Sequence, residues 1–286
     1  MDEKRLVLAA LVAVAASTVS LALSQKPAPP RESVWFVLLE EFGSNGKLVL
    51  DRLATSSEGK LSKVPDNCSP DDPSSKQFST EYLNAGHSYS ALFGGSAAGS
   101  AIVRGPDNYD VPVIAVDYRG SIRIRGQVMG LATNAVISHS GSSSRQAPTA
   151  AEHQAASKLA ENLFAKAGVP SDLLAKIRVR NLTHTILLPS KSPSLIGSFS
   201  IDTGGQRGPH HNLFFIATFN GTDYVPELVE SERANFVDQG DLFGDGQEEV
   251  IVLEQFYEGY GYRIYRRTRN DVSRWEQIYE AGGPAC

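Results

Sequence analysis

The sequence predicts an α+β fold that is mostly antiparallel β-sheet with one main helix. Short apolar runs separated by turn residues recur along the chain, as at residues 34–40 and 250–256. The dipeptide Asn220-Gly221 lies between two such runs, and Asn-Gly is a strong signal for a tight β-hairpin. One long segment, residues 149–167, has the apolar spacing of a helix. Together these observations predict antiparallel sheets accompanied by a single main helix.

The predicted helix has signals at both ends. Thr149 is a good N-cap, and Glu152 follows at the position that completes a capping box. Gly168 ends the segment, because glycine readily adopts the left-handed conformation that stops a helix. The Ser-rich stretch before the helix marks a domain boundary. We therefore expect a β-rich domain over residues 34–145 and a domain with the helix and further strands over residues 146–286.

Two further segments carry local predictions. Residues 122–126, Ile-Arg-Ile-Arg-Gly, alternate apolar and charged side chains, which predicts a half-exposed strand. Residues 55–76 are rich in Ser, Asp, Pro and Lys, which predicts a long surface loop.

The C-terminal half contains a weak internal repeat. A shift of about 55 residues places Leu182 on Val237 and Leu187 on Leu242 without gaps. Both copies have the pattern of a strand, a polar loop and an apolar strand. Because the match is short, two related β units and chance agreement both remain as interpretations.

The first residues predict export. Lys4 and Arg5 precede an uncharged run over residues 6–23, and a Pro-rich linker follows over residues 25–33. A helix of that length is about 27 Å long, close to the hydrocarbon thickness of a bilayer. Residues 1–24 are therefore expected to be a signal peptide or a signal anchor. We expect an extracytoplasmic protein, periplasmic or secreted, that meets the membrane only through residues 6–23 if they are not cleaved.

The two cysteines predict a disulfide. Cys68 and Cys286 are the only cysteines, and a lone pair in an oxidising compartment usually bonds. The bond would tie the last residue of the chain to its first third. The alternative is two unpaired thiols.

The overall charge excludes one class of partner. The formal net charge is −5, and no cluster of Lys and Arg stands out in the sequence. Nucleic-acid binding needs clustered positive charge that neutralises phosphates. We therefore expect no nucleic-acid partner.

A Gly-rich acidic loop is the best candidate site. Asp241, Asp245 and Glu249 occupy positions one, five and nine of the pattern D-x-D-G-D-G-x-x-E, whose alternating oxygens suit calcium. The Gln247 carbonyl could supply a further oxygen. Phe243 stands at position three and cannot coordinate, so one charged ligand is missing. The two interpretations are a calcium site at Asp241, Asp245, Gln247 and Glu249, and a tight turn without metal. No other cofactor is expected.

The same stretch resembles the FG-GAP/VCBS-type repeat of integrin-like β-propellers. Residues 233–286 contain VDQGDLFGDGQEEVIVLEQFYEGYGYRIYRR and end in RWEQIYEAGGPAC. This segment is similar to the C-terminal ends of a group of uncharacterised bacterial exported proteins. The resemblance implies a C-terminal part like a single propeller-type blade, with calcium ligands at Asp241, Asp245 and Glu249. It implies no particular activity.

Aromatic residues near the C-terminus form a second candidate. Tyr257, Tyr260, Tyr262 and Trp275 lie close together in the sequence. One interpretation is cross-strand packing, and the other is a binding face for a protein or glycan ligand.

The remaining motifs give little support for catalysis. Gly94-Gly95-Ser96 approaches the Gly-x-Ser-x-Gly elbow of esterases, but Ala98 replaces the last glycine. Glu254 and Glu258 could form a glycosidase pair, although the sequence does not fix their separation. We therefore expect an exported non-enzymatic protein, structural or ligand-binding, and the alternative is an extracytoplasmic hydrolase.

Overall fold

The computed structural model describes residues 32–41, 46–65, 71–106, 114–137, 144–202, 211–256, 259–268, 271 and 273–281. Within these ranges fifteen strands and three helices are present, and every strand pairing is antiparallel. The prediction of a mostly antiparallel β fold with helices is therefore confirmed. All described residues fall in one compact unit that extends from Glu32 to the C-terminus.

The first half of the chain forms a closed barrel of six strands. The strand order is β1-β7-β4-β5-β6-β2, and pairing of β1 with β2 closes the ring. A short strand, β3, extends the β2 end. The strand bounds are β1 Ser33–Glu40, β2 Leu48–Ser57, β3 Lys60–Ser62, β4 Ser88–Phe93, β5 Ser96–Pro106, β6 Ile114–Gly120 and β7 Gly130–Thr133.

A helix, α1 (Pro73–Tyr82), packs its apolar side chains against the core of this barrel. The carboxylate of Asp72 caps it by accepting hydrogen bonds from the backbone N–H groups of Ser74 and Ser75. Phe78 meets Phe36 of β1 edge to face at 6.3 Å. The prediction of a continuous loop over residues 55–76 was wrong at both ends, because β2 continues to Ser57 and α1 begins at Pro73.

The second half begins with two helices and continues as two sheets. Helix α2 (Ala150–Lys166) has the predicted capping box, in which Thr149 and Glu152 cap each other's backbone N–H groups. A short helix, α3 (Ser171–Leu174), follows. The strand bounds are β8 Ile177–Ile186, β9 Pro193–Ile201, β10 His211–Phe219, β11 Tyr224–Glu230, β12 Ala234–Gly240, β13 Glu249–Gln255, β14 Tyr260–Arg267 and β15 Trp275–Ala281.

Each of the two sheets is a meander of four strands. We call β8–β11 the helix-backed sheet, because its outer face packs on α2 through residues such as Phe199 and Phe215. We call β12–β15 the barrel-backed sheet, because Val237 and Ile251 pack on barrel residues such as Trp35. A third apolar cluster lies between the two sheets. The order of layers is therefore helix, sheet, sheet and barrel.

Buried polar contacts join the barrel to the barrel-backed sheet. The Gly94 N–H, at the tip of the β4–β5 hairpin, donates to Asp238 Oδ1 at 2.8 Å. Arg145 donates to the backbone carbonyls of Met129 at 2.9 Å and Val237 at 2.7 Å. Burial raises the pKa of Asp238 to about 7, although Arg145 and the Gly94 N–H favour its charged form. These contacts fix the barrel against the sheet that carries the acidic loop.

Several predictions from the sequence need correction. Residues 122–126 do not form a strand, because the chain turns at Gly126 (φ 60°) and Arg125 bridges only to Val128. The predicted transmembrane helix and disulfide are likewise not found. In the described ranges no helix is long and apolar enough to cross a membrane, and no disulfide is present. Residues 1–24, Cys68 and Cys286, on which those predictions fell, lie outside these ranges.

Candidate functional site

The acidic loop between β12 and β13 folds as a set of local hydrogen bonds. The Asp241 carboxylate accepts the backbone N–H groups of Asp245 at 3.0 Å and Gly246 at 2.8 Å. Gly244 and Gly246 both have positive φ, 71° and 84°, which glycine adopts without steric cost. The Gln247 side chain donates to the backbone carbonyl of Arg267 at 2.7 Å, which holds the loop against the end of β14.

A guanidinium group lies against two of the predicted calcium ligands. Arg266 of β14 pairs with Asp245 through Nη2, and its Nε lies 3.3 Å from Glu249 Oε1. The other Glu249 oxygen accepts the backbone N–H of Leu242 at 2.8 Å. The Phe243 ring lies 4.7 Å from the guanidinium carbon of Arg266. Phe243, which stands where the calcium pattern requires a carboxylate, therefore stacks on the Arg266 guanidinium.

Burial changes the charge of this cluster. Glu249 is fully buried, which raises its pKa to about 8 despite the Leu242 N–H and the nearby Arg266, both of which favour the charged form. Glu249 is therefore largely protonated at neutral pH, and Asp245 is the main counter-charge of Arg266. Among the described residues, no group of three or more His, Cys, Asp or Glu side chains has the arrangement of a metal site. The choice between a calcium site and a tight turn without metal stays open, and calorimetry can test it.

A second guanidinium is held in a similar way by the helix-backed sheet. Arg267 lies 5.0 Å from the Trp275 ring and pairs with Glu227 of β11 at 3.0 Å. The Trp275 indole N–H donates to the same carboxylate at 3.0 Å. Arg267 also donates to the Thr218 hydroxyl at 3.1 Å. Burial lowers the pKa of Arg267, while Glu227 opposes that shift.

Both guanidiniums line one groove at the end of the barrel-backed sheet. The groove has a volume of about 1050 Å³ and extends from the β2–β3 hairpin to the start of β15. Its cationic side chains are Lys60, Arg266, Arg267 and Arg274, and its aromatic rings are Phe243 and Trp275. Asp271 and Glu276 are its acidic residues. The sequence analysis expected no cluster of cationic residues, and the structure assembles one from three separate segments.

The predicted aromatic face divides between two places. Tyr260 and Tyr262, at the start of β14, donate their hydroxyls to Asp51 of the barrel at 2.7 and 2.8 Å. Burial raises the pKa of Asp51, against these hydrogen bonds. Trp275 lies at the groove, near the other end of β14. Tyr257 lies outside the described ranges.

The residues considered for catalysis have structural contacts. Ser96 is buried in the β4–β5 hairpin, and the carboxylate of Glu248 lies so close to Gly95 that an added Cβ would come within 1.7 Å of it. Glu254 pairs with Arg263 at 2.8 Å, while Glu258 lies outside the described ranges.

The cationic side of the site was not predicted from the sequence. Arg266, Arg267 and Arg274 lie within nine positions of one another, but Lys60 is more than two hundred positions away, so no spacing rule connects all four. The Arg266-Arg267 pair at the end of an apolar strand was the visible signal. Its partners could not be deduced, because Glu227 and Phe243 come from other strands and loops.

Comparison with protein-family models, with curated proteins and with solved structures finds no match for this chain. The functional interpretation therefore rests on the geometry of the groove.

Proposed function

We propose that this protein is an exported, non-enzymatic binding protein and that the groove is its ligand site. The observation that carries the proposal is a groove of about 1050 Å³ in which two guanidiniums are each held in place by a carboxylate and an aromatic ring. Arg266 is held by Asp245 and Phe243, and Arg267 by Glu227 and Trp275. Groups fixed before the ligand arrives lose little conformational entropy on binding, which favours affinity. Export is proposed on the sequence of residues 1–24.

We also infer that the barrel-backed sheet is a single propeller-type blade of the FG-GAP/VCBS-like kind. Its strand order, β12-β13-β14-β15, is the simple antiparallel meander that a blade requires. The groove lies at one end of this sheet, beside the loop on which the resemblance is based. This relation supports a binding role for the loop end of the sheet.

The proposal can be tested by retention on glycan and peptide arrays. The full chain, labelled at one site, is applied to both arrays together with two variants. Lys60→Ala/Arg274→Ala removes two exposed cations of the groove, and Lys158→Ala removes an exposed cation on α2. We expect a retained ligand whose signal is lost in the groove variant and kept in the α2 variant. Retention that both variants keep, or no retention at all, contradicts the proposal.

A further inference from the structure

The side chains that line the groove include four cations and two carboxylates. Asp245 and Glu227 pair with two of the cations, Arg266 and Arg267, whereas Lys60 and Arg274 have no ion pair among the described residues. Unpaired cations on a concave surface attract ligands of the opposite charge. The ligand that complements this groove is therefore an anion.

The position of Arg266 suits a carboxylate. Its Nε and Nη2 face Glu249 and Asp245, and the Phe243 ring covers one face of the guanidinium plane. Nη1 makes no hydrogen bond or ion pair within the described part of the chain, so it can donate into the groove. A planar guanidinium held in one orientation recognises a planar carboxylate better than a flexible ammonium does.

The edge of the groove carries two further cations. Lys60 lies on the β2–β3 hairpin, and Arg274 directly precedes β15. Both side chains are exposed, and neither has an ion pair among the described residues. Unpaired cations from two separate segments of the lining suit a ligand with several charges.

The size and lining of the groove favour an oligosaccharide over a peptide. Its volume of about 1050 Å³ lies at the upper end of pockets that hold one small molecule, roughly 300–1000 Å³. Peptides are usually anchored by apolar side chains in dry pockets. Here Phe243 and Trp275 each carry a guanidinium on the ring, and most other lining residues are polar.

The helix-backed sheet shows that the Glu249–Arg266 contact is not needed to build such a sheet. Ser194 and Thr218 are paired across β9 and β10, and their hydroxyls lie 3.2 Å apart. A shift of 55 residues places Ser194 on Glu249. In the helix-backed sheet Thr218 follows Ala217, the strand partner of Leu195. In the barrel-backed sheet Arg266 follows Tyr265, the strand partner of Val250, so Arg266 corresponds to Thr218. A neutral hydroxyl pair therefore occupies the place of the Glu249–Arg266 pair.

From these observations we infer that the groove binds an oligosaccharide that carries carboxylate groups, and that the acidic loop positions Arg266 to receive one of them. The inference rests on the proposed function, because it names the ligand class of the same groove. In this scheme Asp245 and Glu249 are positioning residues, and Arg266, Lys60 and Arg274 contact the ligand.

The test compares three probes by calorimetry with the full chain. They are a hexamer of galacturonate, its fully methyl-esterified neutral form and a hexamer of glutamate. We expect the galacturonate to bind, to bind more weakly as salt is added, and to lose at least tenfold in affinity on esterification. Equal binding of the neutral ester at the groove would overturn the anion inference and leave the proposed function standing. Binding of the glutamate hexamer alone, or of none of the probes, would overturn the inference of an acidic oligosaccharide.

Variants separate ligand contacts from positioning. Lys60→Ala/Arg274→Ala should weaken galacturonate binding at least tenfold, whereas Lys158→Ala should leave it unchanged. Arg266→Lys keeps the charge but loses the planar fork, so we expect a loss of about tenfold. Asp245→Asn removes the main counter-charge of Arg266 and should weaken binding severalfold, measured at a temperature where the variant is folded. Wild-type affinity in both Arg266→Lys and Asp245→Asn would overturn the role assigned to the loop.

Discussion

The helix-backed and barrel-backed sheets share one strand order but differ in the chemistry of corresponding positions. Leu182 and Val237 lie in their first strands, and Leu195 and Val250 lie in their second. Leu195 packs toward α2 and Val250 toward the helix-backed sheet, as expected if both sheets face the same way. Leu182 also packs toward α2, whereas Val237, at an irregularity of β12, packs toward the barrel. At the loop end, one sheet carries the hydroxyl pair Ser194–Thr218, and the other carries the Arg266 guanidinium beside Asp245 and Glu249 and under the Phe243 ring. A four-stranded meander therefore forms with neutral side chains at this position, and the Arg266 side chain of the barrel-backed sheet is not required by the fold but lines the groove.

Loss of matched core side chains should have the largest effect and should be equal in the two sheets. Ile196 and Ile251 are both fully buried, each between two layers of the stack. We expect Ile196→Ala and Ile251→Ala each to lower the free energy of unfolding by about 3 kcal/mol, through lost burial and a cavity. Urea denaturation measures this, and Val225→Ala, at a side chain that is 44% exposed, is the control. A cost below about 1 kcal/mol for either core variant would show that its sheet packs loosely.

The loop ends should differ in their sensitivity to deletion. Glu249→Ala leaves the buried Leu242 N–H without its acceptor and removes a neighbour of Arg266, so we expect a loss of about 3 kcal/mol. Ser194→Ala removes one neutral hydroxyl contact and should cost about 1 kcal/mol. Chemical denaturation of both variants at pH 7 makes the comparison. Equal costs would mean that the two ends are energetically equivalent.

The barrel-backed sheet should make the protein less stable as pH rises. The folded pKa of Glu249, about 8, lies above its ordinary value of 4.5, so the native state binds more protons between these two values. The contribution of Glu249 to the free energy of unfolding is therefore fully present below pH 4.5 and is lost progressively as pH rises through 8. Glu249→Gln should flatten the curve in this range, and Asp238, whose pKa is raised in the same direction, should leave a smaller slope. An unchanged slope in Glu249→Gln would exclude Glu249 as the source.

The helix-backed sheet should respond to acid in the opposite direction. Although burial opposes it, hydrogen bonds from Thr149, from His184 Nδ1 at 2.6 Å and from Tyr224 at 2.9 Å lower the pKa of Glu152 to about 2. The charged form therefore stabilises the fold above pH 4.5, and this contribution disappears as pH falls through 2. We expect a loss of about 3 kcal/mol, measured by urea denaturation at several pH values. If Glu152→Gln retains the full acid-induced loss, other carboxylates cause it.

The smallest signal is expected from calcium. Arg266 supplies a positive charge beside Asp245 and Glu249, so we expect no measurable heat when millimolar calcium is added to the wild-type chain. Phe243→Asp with Arg266→Thr supplies the missing ligand and places the neutral residue of the helix-backed sheet at position 266. This double variant should show calcium-dependent heat. Heat from the wild-type chain would show that Arg266 does not replace the metal.

Sequence reasoning found the local parts of this fold. The capping box at Thr149 and Glu152 and the hairpin at Asn220-Gly221 depend on residues a few positions apart, and both are present. The prediction of a strand over residues 122–126 was wrong, because alternating apolar and charged side chains form a strand only where a partner strand is available. Here Ile124 packs into the barrel core from a turn.

The candidate site could be predicted only on its acidic side. Asp241, Asp245 and Glu249 lie within nine positions of one another, so their proximity is a property of the chain. Lys60 and Arg274 are separated by more than two hundred positions, and they line the same groove only because the barrel packs against the last sheet.

The capped helix, the tight turns and the acidic loop follow from the sequence alone, since each depends on the local conformational preferences of neighbouring residues. Only contacts between distant segments determine that six of the first seven strands close into a barrel, that the last eight form two stacked meanders, and that Arg266 lies against the acidic loop. These arrangements depend on contacts between distant segments, whose free energy comes from burying apolar faces and pairing buried charges. No window of neighbouring residues contains that information.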